Sequence, residues 1–364
     1  GRAVGARGAL RDAIGKVDEN GKWTRIPPVP SDYQKVLAPH SRGAILVAAV
    51  FDAFLAIYKE RTADLLRIYT RGTVVLPEGA IHPDLVARLA DEAAKSASHV
   101  LKICIRGVDY LPPVDVTFGE YLRALITADF DMVEDDPHNY RVAFVESFRR
   151  RGIYPLDIGV PGAETIRTLS VDTLRWQGFD LSQLKPGERR VVTDLYDKVV
   201  EQLKGYADAC IYLKDRETLF TEARKQRASL HRMVKGSFAA TPGFASGLGI
   251  DPAFDFEVHA LRPALRTAAS GQRVPQVIVC LTQSTWIPET PDTPGHVFRG
   301  GSTLIVDLAQ KEVRYRICKN IGSKSRRKRT ADFARENAND PLRALLFATD
   351  RSEPFAVLHT LDVQ

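Results

Sequence analysis

Cysteine is scarce in this chain of 364 residues: four in all, none in a CxxC pair. Cys104, Cys210, Cys280 and Cys318 are too few and too scattered for a disulfide framework or a zinc ribbon, which favours a reducing, cytoplasmic setting. Cys280 and Cys318 both fall on predicted strands, which leaves a bridge between those two open. Methionine occurs twice, and the first position is Gly1. No charged-then-apolar leader follows it, so we expect the chain to begin inside a longer protein. Long hydrophobic runs are also missing. The longest, Ala44 to Tyr58, is interrupted by Asp52 and falls short of the roughly 20 residues that span a bilayer. It reads as a core helix, with no membrane span. Catalytic strings are absent too. There is no HExxH to set two imidazoles on one helix face for zinc, no GxSxG elbow and no Walker loop. The eight histidines stand singly.

What is present describes an ordinary folded chain. Apolar residues make up 44% and charged residues 26%, with 25 Gly and 21 Pro, which excludes collagen-like and low-complexity architectures. The length suits two or three domains. The net charge of +6 is local in origin. Lys311 to Thr330 holds nine Lys or Arg against one Glu, and the rest of the chain is slightly acidic. The molecule therefore carries one basic patch rather than a generally basic surface.

Periodicity divides the chain. Residues 1–40 are punctuated by Pro27, Pro28 and Pro30 and read as an irregular opening segment. From Ser41 the spacing turns helical. Both sides of the first helix are apolar, so it is expected to be buried all round. A second helix opens at Pro83, a favoured first-turn residue, with Val86, Ala90, Ala93, Ala97, Val100, Leu101 and Cys104 as its expected inner stripe. The third carries a capping box, Thr117 with Glu120. The fourth follows Asp136-Pro137 and stops at Gly152, and the pair Asp135-Asp136 reads as an N-cap feature rather than a metal site. After a Pro/Gly-rich connection, a helical pair covers Glu188 to about Leu213 and Arg216 to about Lys235. The small-residue stretch 236–252 is the expected boundary. Beyond it the period falls to 2, with Val277–Leu281, Thr303–Leu308 and Val313–Cys318 as strands. The fold class is therefore α+β. The expected domains are a helical lobe over 41–153, a linker with a helical pair over 154–236, and a small antiparallel β domain over 253–364 with a basic loop at 324–329.

Three strings carry a resemblance. PHSRGAILVAAVFDAFLAIY (39–58), LPPVDVTFGEYLRALITADFDMV (111–133) and HNYRVAFVESFRRRGI (138–153) occur in that order. Together they resemble the C-terminal lobe of thermolysin-like and fungalysin-like zinc peptidases, the gluzincins. The likeness covers residues 30–153, about a third of the chain. FEVHALRPALR and FRGGSTLIVDL resemble domains appended to bacterial members. The resemblance implies a thermolysin C-lobe-like bundle and a role for His40. In that group a histidine before a long buried helix donates a hydrogen bond to the tetrahedral oxyanion, as a transition-state stabiliser and proton donor. Its usual acidic orienter is replaced here by Ala38, leaving Asp32 as the nearest upstream acid.

The zinc-binding helix and glutamate base of that group lie upstream of these strings. The resemblance therefore implies no metal ligand and no cofactor in this chain, with zinc expected only in a longer protein. A peptide or protein substrate would be met only by that longer protein. A lobe without its other half should also expose a concave, partly apolar surface near His40. Two other readings stay open: a non-catalytic interaction scaffold, and anion or nucleic-acid binding through Lys324, Arg326, Arg327, Lys328 and Arg329. The bland form of the last is a solvated loop. The run has no interleaved aromatic platform, which argues against nucleic acid.

Overall fold

A computed structural model describes residues 14–18, 21–73, 75, 78–156, 170–268 and 270–339. The first residues of the opening segment, most of the linker at 157–169 and the end of the expected β domain lie outside the described residues. The architecture is α+β, with a four-stranded antiparallel sheet towards the C-terminus. The chain forms two compact units. One holds the residues up to Val108 together with Thr117–Arg175, and the other holds Asp109–Val116 and the chain from Trp176.

The first unit opens with a hairpin of β1 (Gly15–Val17) and β2 (Trp23–Arg25), followed by α1 (Asp32–Lys35) and α2 (Pro39–Tyr69). It continues with α3 (Pro83–Gly107), α4 (Phe118–Met132), α5 (Tyr140–Arg150) and the short α6 (Val171–Leu174). The local signals act as their chemistry requires. The Thr117 hydroxyl accepts the Glu120 N–H at 3.3 Å, and the Glu120 carboxylate accepts the Thr117 N–H at 2.9 Å. The Asp136 carboxylate accepts the backbone N–H groups of Tyr140 and Arg141 at 2.8 and 2.9 Å, satisfying donors at the start of α5. Gly152, at φ +70, closes α5 against the Pro30 carbonyl. A Cβ there would collide with backbone, so this corner needs glycine.

Burial departs from expectation in both long helices. One face of α2 (Ala48, Ala49, Ala53, Ile57) is buried, while Val47 and Phe51 are exposed, so the helix is not enclosed all round. Asp52, which interrupts the apolar run, is itself buried. It accepts from Arg151 at 2.5 Å and Arg25 at 2.7 Å. On α3 the correction is larger. The buried stripe is Glu92, Ser96, Val100, Ile103 and Gly107, whereas Val86, Ala90, Ala97 and Leu101 face solvent. Glu92 can lie inward because Arg61 donates to it at 2.9 Å and Lys95 at 2.9 Å.

The second unit packs α7 (Pro186–Cys210), α8 (Arg216–Ala240) and α9 (Pro242–Gly247) on one face of the sheet. Its strands are β3 (Phe256–Thr267), β4 (Arg273–Ile287), β5 (His296–Asp307) and β6 (Glu312–Lys319), in the order β3-β4-β5-β6. Val192, Leu203, Leu230, Val234 and Phe238 from the helices share one core with Leu261, Val279, Leu304 and Val306 from the sheet. The helical pair and the β region are thus one body rather than the two expected domains. The stretch at 236–252 is no boundary, since Phe244, Ala245, Leu248 and Ile250 belong to that core.

Register settles the cysteines. Cys280 pairs across strands with Thr303, and Cys318 with Ser302. Adjacent residues of one strand point to opposite faces, so the two thiols lie on opposite sides of the sheet and no bridge forms. All four cysteines are free. Burial pushes the Cys280 and Cys318 thiols above their ordinary range, which keeps them protonated and unreactive.

Candidate functional site

His40 is the second residue of α2, half-buried, directly after Pro39. Its setting is built by the short helix before it. The Arg42 guanidinium donates to the carbonyls of Tyr33 and Val36, each at 3.0 Å, satisfying acceptors at the end of α1. It also lies 4.5 Å from the centre of the Tyr33 ring, which stacks on Phe118 at 5.6 Å. That sandwich fixes the corner between α1 and α2 and therefore the point where His40 leaves the backbone.

The first turn of this 31-residue helix contains no acidic side chain and has no side-chain cap. The partial positive charge of its N-terminus is therefore not neutralised from within the turn. Asp32 stands in the first turn of α1. Among the described residues, no hydrogen bond joins Asp32 to His40.

An apolar groove of about 390 Å³ begins six residues further along α2, between that helix and α3, with Leu46, Val47, Phe51, Phe54, Ala97 and Leu101 in its walls. Val47 and Phe54 follow His40 at seven-residue intervals, which places all three on one stripe of the helix.

Two polar clusters in this unit escaped the sequence reading. His99 on α3 meets the Asp129 carboxylate of α4 through Nε2 at 2.9 Å, and Arg141 of α5 donates to the other carboxylate oxygen at 2.7 Å. The His99 ring stands edge-on to Tyr140 at 4.7 Å. A cavity of about 310 Å³ opens beside them, bordered by Arg61, Lys95, Asp135 and Asp136. Asp129 is matched by His99 and Arg141, and Glu92 by Arg61 and Lys95, while Asp135 stands exposed at the rim. Such compensation is the mark of a structural network. No spacing rule announces it, because its members come from four helices.

The basic run is helical, not a loop. α10 (Lys324–Glu336) begins at Ser323, whose hydroxyl accepts the Arg326 N–H at 3.4 Å. Arg326 is buried. It donates to the carbonyls of Asn320 at 2.9 Å and Arg299 at 2.7 Å, pairs with Asp115, and lies over the Phe298 ring. Arg327 donates to the Ile321 carbonyl at 3.1 Å. These two cations therefore hold the helix to its own unit, which corrects the reading of all five as anion-binding. Lys324, Lys328 and Arg329 remain exposed.

Among the described residues, no three His, Cys, Asp or Glu side chains come together to hold a metal ion. One described helix, α2, is long and apolar enough to cross a membrane by length and composition. In the structure, α2 packs on α5, and the Ser147 hydroxyl donates to the Ala49 carbonyl. Compared with known proteins, the chain matches no family model, no curated protein and no solved structure.

Proposed function

We propose that the helical unit is the non-zinc lobe of a gluzincin-type peptidase and that His40 stabilises the oxyanion of its reaction. The observation that carries this reading is the position of His40. It stands at the start of the longest helix, in a turn without acidic residues or a side-chain cap. Attack on a peptide carbonyl gathers negative charge on one oxygen. An imidazole N–H held rigidly at the positive end of a helix interacts more strongly with that charge than with the neutral carbonyl. Such a contact speeds the chemical step without tightening substrate binding. The adjoining turns of α2 would form part of the cleft wall.

The test uses a chain extended upstream. If it contains a zinc-binding helix and cleaves peptides, His40→Ala should lower kcat by about 100-fold to 1,000-fold, the cost of losing one oxyanion donor, with KM nearly unchanged. A dominant rise in KM would instead assign His40 to substrate binding. An extended reading frame without a zinc-binding helix would end the peptidase reading. A second reading, a non-catalytic interaction protein of the same fold, is favoured by one observation: the apolar stripe of α3 that stays exposed.

A further inference from the structure

The outward face of α3 carries a row of apolar side chains. Val86, Ala90, Ala94, Ala97, Leu101 and Ile105 recur at spacings of three and four, so they line one side of the helix, and Val108 continues the row one residue past its end. All seven are exposed. The large members are far from buried, with Val86 50%, Leu101 58%, Ile105 65% and Val108 56% exposed. The stripe is about 33 Å long at 1.5 Å per residue, and isolated apolar residues on a surface do not form such rows.

Size is distributed unevenly along it. The first half is small apart from Val86, with Ala90 and Ala94. The second half is large, with Leu101, Ile105 and Val108. A two-fold axis near Ala97 would run two copies of α3 antiparallel. It would set Leu101 over the partner copy's alanine half and Ile105 near its first turns, large side chains into the space left by small ones. Parallel pairing would stack large on large and leave gaps at the alanines.

Charge points the same way. Asp91 and Lys102 are both exposed and stand eleven residues apart, a spacing that returns a helix to nearly the same angle. They therefore share one edge of the stripe. In an antiparallel pair, equivalent edges face each other, so the same two-fold brings Asp91 of each copy towards Lys102 of the other. An isologous contact makes every such pair twice.

The geometry points to a reversible homodimer formed by α3 against α3, antiparallel about Ala97. This deepens the interaction reading above and rests on it, and Ala97 and Leu101 also stand in the wall of the groove between α2 and α3. The contact would bury on the order of 500 Å² per copy, near the lower limit for a specific interface. The dimer should therefore be weak, with a dissociation constant in the range of tens of micromolar.

Sedimentation velocity of the full chain from about 1 to 200 µM tests it. The native chain should shift from monomer to dimer over that range. The double variant Leu101→Glu with Ile105→Glu, on an exposed face, should keep its circular dichroism and stay monomeric, a loss of at least about 100-fold in affinity. Asp91→Lys should weaken association roughly tenfold, because the two-fold doubles each like-charge contact. Adding Lys102→Asp should return it to within about threefold of native.

If the glutamate pair unfolds the chain, the charge-exchange pair decides the matter alone. A chain that is monomeric to 200 µM overturns the proposal. So does association that survives the glutamate pair, or an Asp91→Lys/Lys102→Asp chain that associates no better than Asp91→Lys. A monomeric chain whose stripe instead binds anionic lipid vesicles would end the dimer but keep an interaction role for the face. A monomeric chain that binds none would end both.

Discussion

The two units of this protein spend their apolar residues differently. In the second unit, helices α7, α8 and α9 and one face of the sheet pool their aliphatic and aromatic side chains in one continuous core, with Tyr206 reaching the Leu261 carbonyl as its polar tie. In the first unit, the interior combines apolar residues with buried ion pairs. Asp52 lies with Arg151 and Arg25, Asp129 with His99 and Arg141, and Glu92 with Arg61. Meanwhile α3 sends its most regular apolar stripe to the surface. A unit that needed only itself would gain by exchanging these assignments, because buried ion pairs are weak contributors to net stability. The difference suggests that hydrophobic periodicity on α3 records a contact made with something beyond the unit.

The largest expected effect lies in the ion pairs. Asp52→Ala leaves Arg151 buried and deprived of its carboxylate. Burial already pushes that guanidinium below its ordinary range, and Asp52 opposes the shift. Loss of one partner of such a pair costs about 3–5 kcal/mol, measurable by urea denaturation. Replacing both, as Asp52→Leu with Arg151→Met, should cost less than Asp52→Ala alone. A double variant worse than the single would mean the ions contribute more than their geometry explains. In the second unit the matching change is Leu281→Ala, in the shared core. It should cost about 2–5 kcal/mol through lost transfer energy and the cavity left behind, with no dependence on salt.

These contrasts also explain what could be read without a structure. Local chemistry was legible. Pro83, the Thr117–Glu120 box, Asp136 and the three short apolar strand runs all act where their residue types place them, because each depends on neighbours within a few positions. Partners across the fold were not legible. The apolar period of α3 was plain, but period alone gives an angle and not a direction. The inward face went to Glu92 and Ser96 because Arg61 and the helix backbone satisfy them. Arg326 shows the same limit from the charged side. Five cations in six residues read as solvent-facing, yet one of them turns inward to two carbonyls and Asp115. Ser323, a good N-cap residue, was the signal that this run begins a helix. For the candidate site, the position of His40 at the start of α2 was readable, but its relation to Asp32 was not.

A smaller effect separates the ion-pair network from the core by pH. Hydrogen bonds from Lys95, and then Arg61, hold the Glu92 carboxyl down at about 2, against an ordinary value of 4.5. A carboxyl depressed in the folded state stabilises it fully above its unfolded value, and that contribution fades as pH falls towards the folded value. Glu92→Gln should therefore cost about 1.5–3 kcal/mol at pH 7, the scale of hydrogen bonds to a charged group. The gap from the native chain should narrow between pH 4.5 and 2. A gap that stays constant over that window would show that Glu92 acts through its shape alone. Leu281→Ala should show no such narrowing.

The smallest expected effect tests the comparison most directly, because it pairs two positions on one helix. Ile103 is fully buried on the inward side of α3, and Leu101 is mostly exposed on the outward side. Ile103→Ala should cost about 2–5 kcal/mol. Leu101→Ser should stay within about 0.5 kcal/mol, provided both are measured at concentrations where the chain is monomeric. More than half of the leucine lies in solvent, so it has less apolar contact to lose than Ile103, and serine forfeits little helix propensity. If Leu101→Ser instead destabilised the monomer as much as Ile103→Ala, the stripe would be serving the interior of its own unit. The outward assignment of α3, and the dimer drawn from it, would fall together. If it were silent at low concentration but destabilising at high concentration, the missing energy would be that of association, since anything that binds only the folded state stabilises it by mass action.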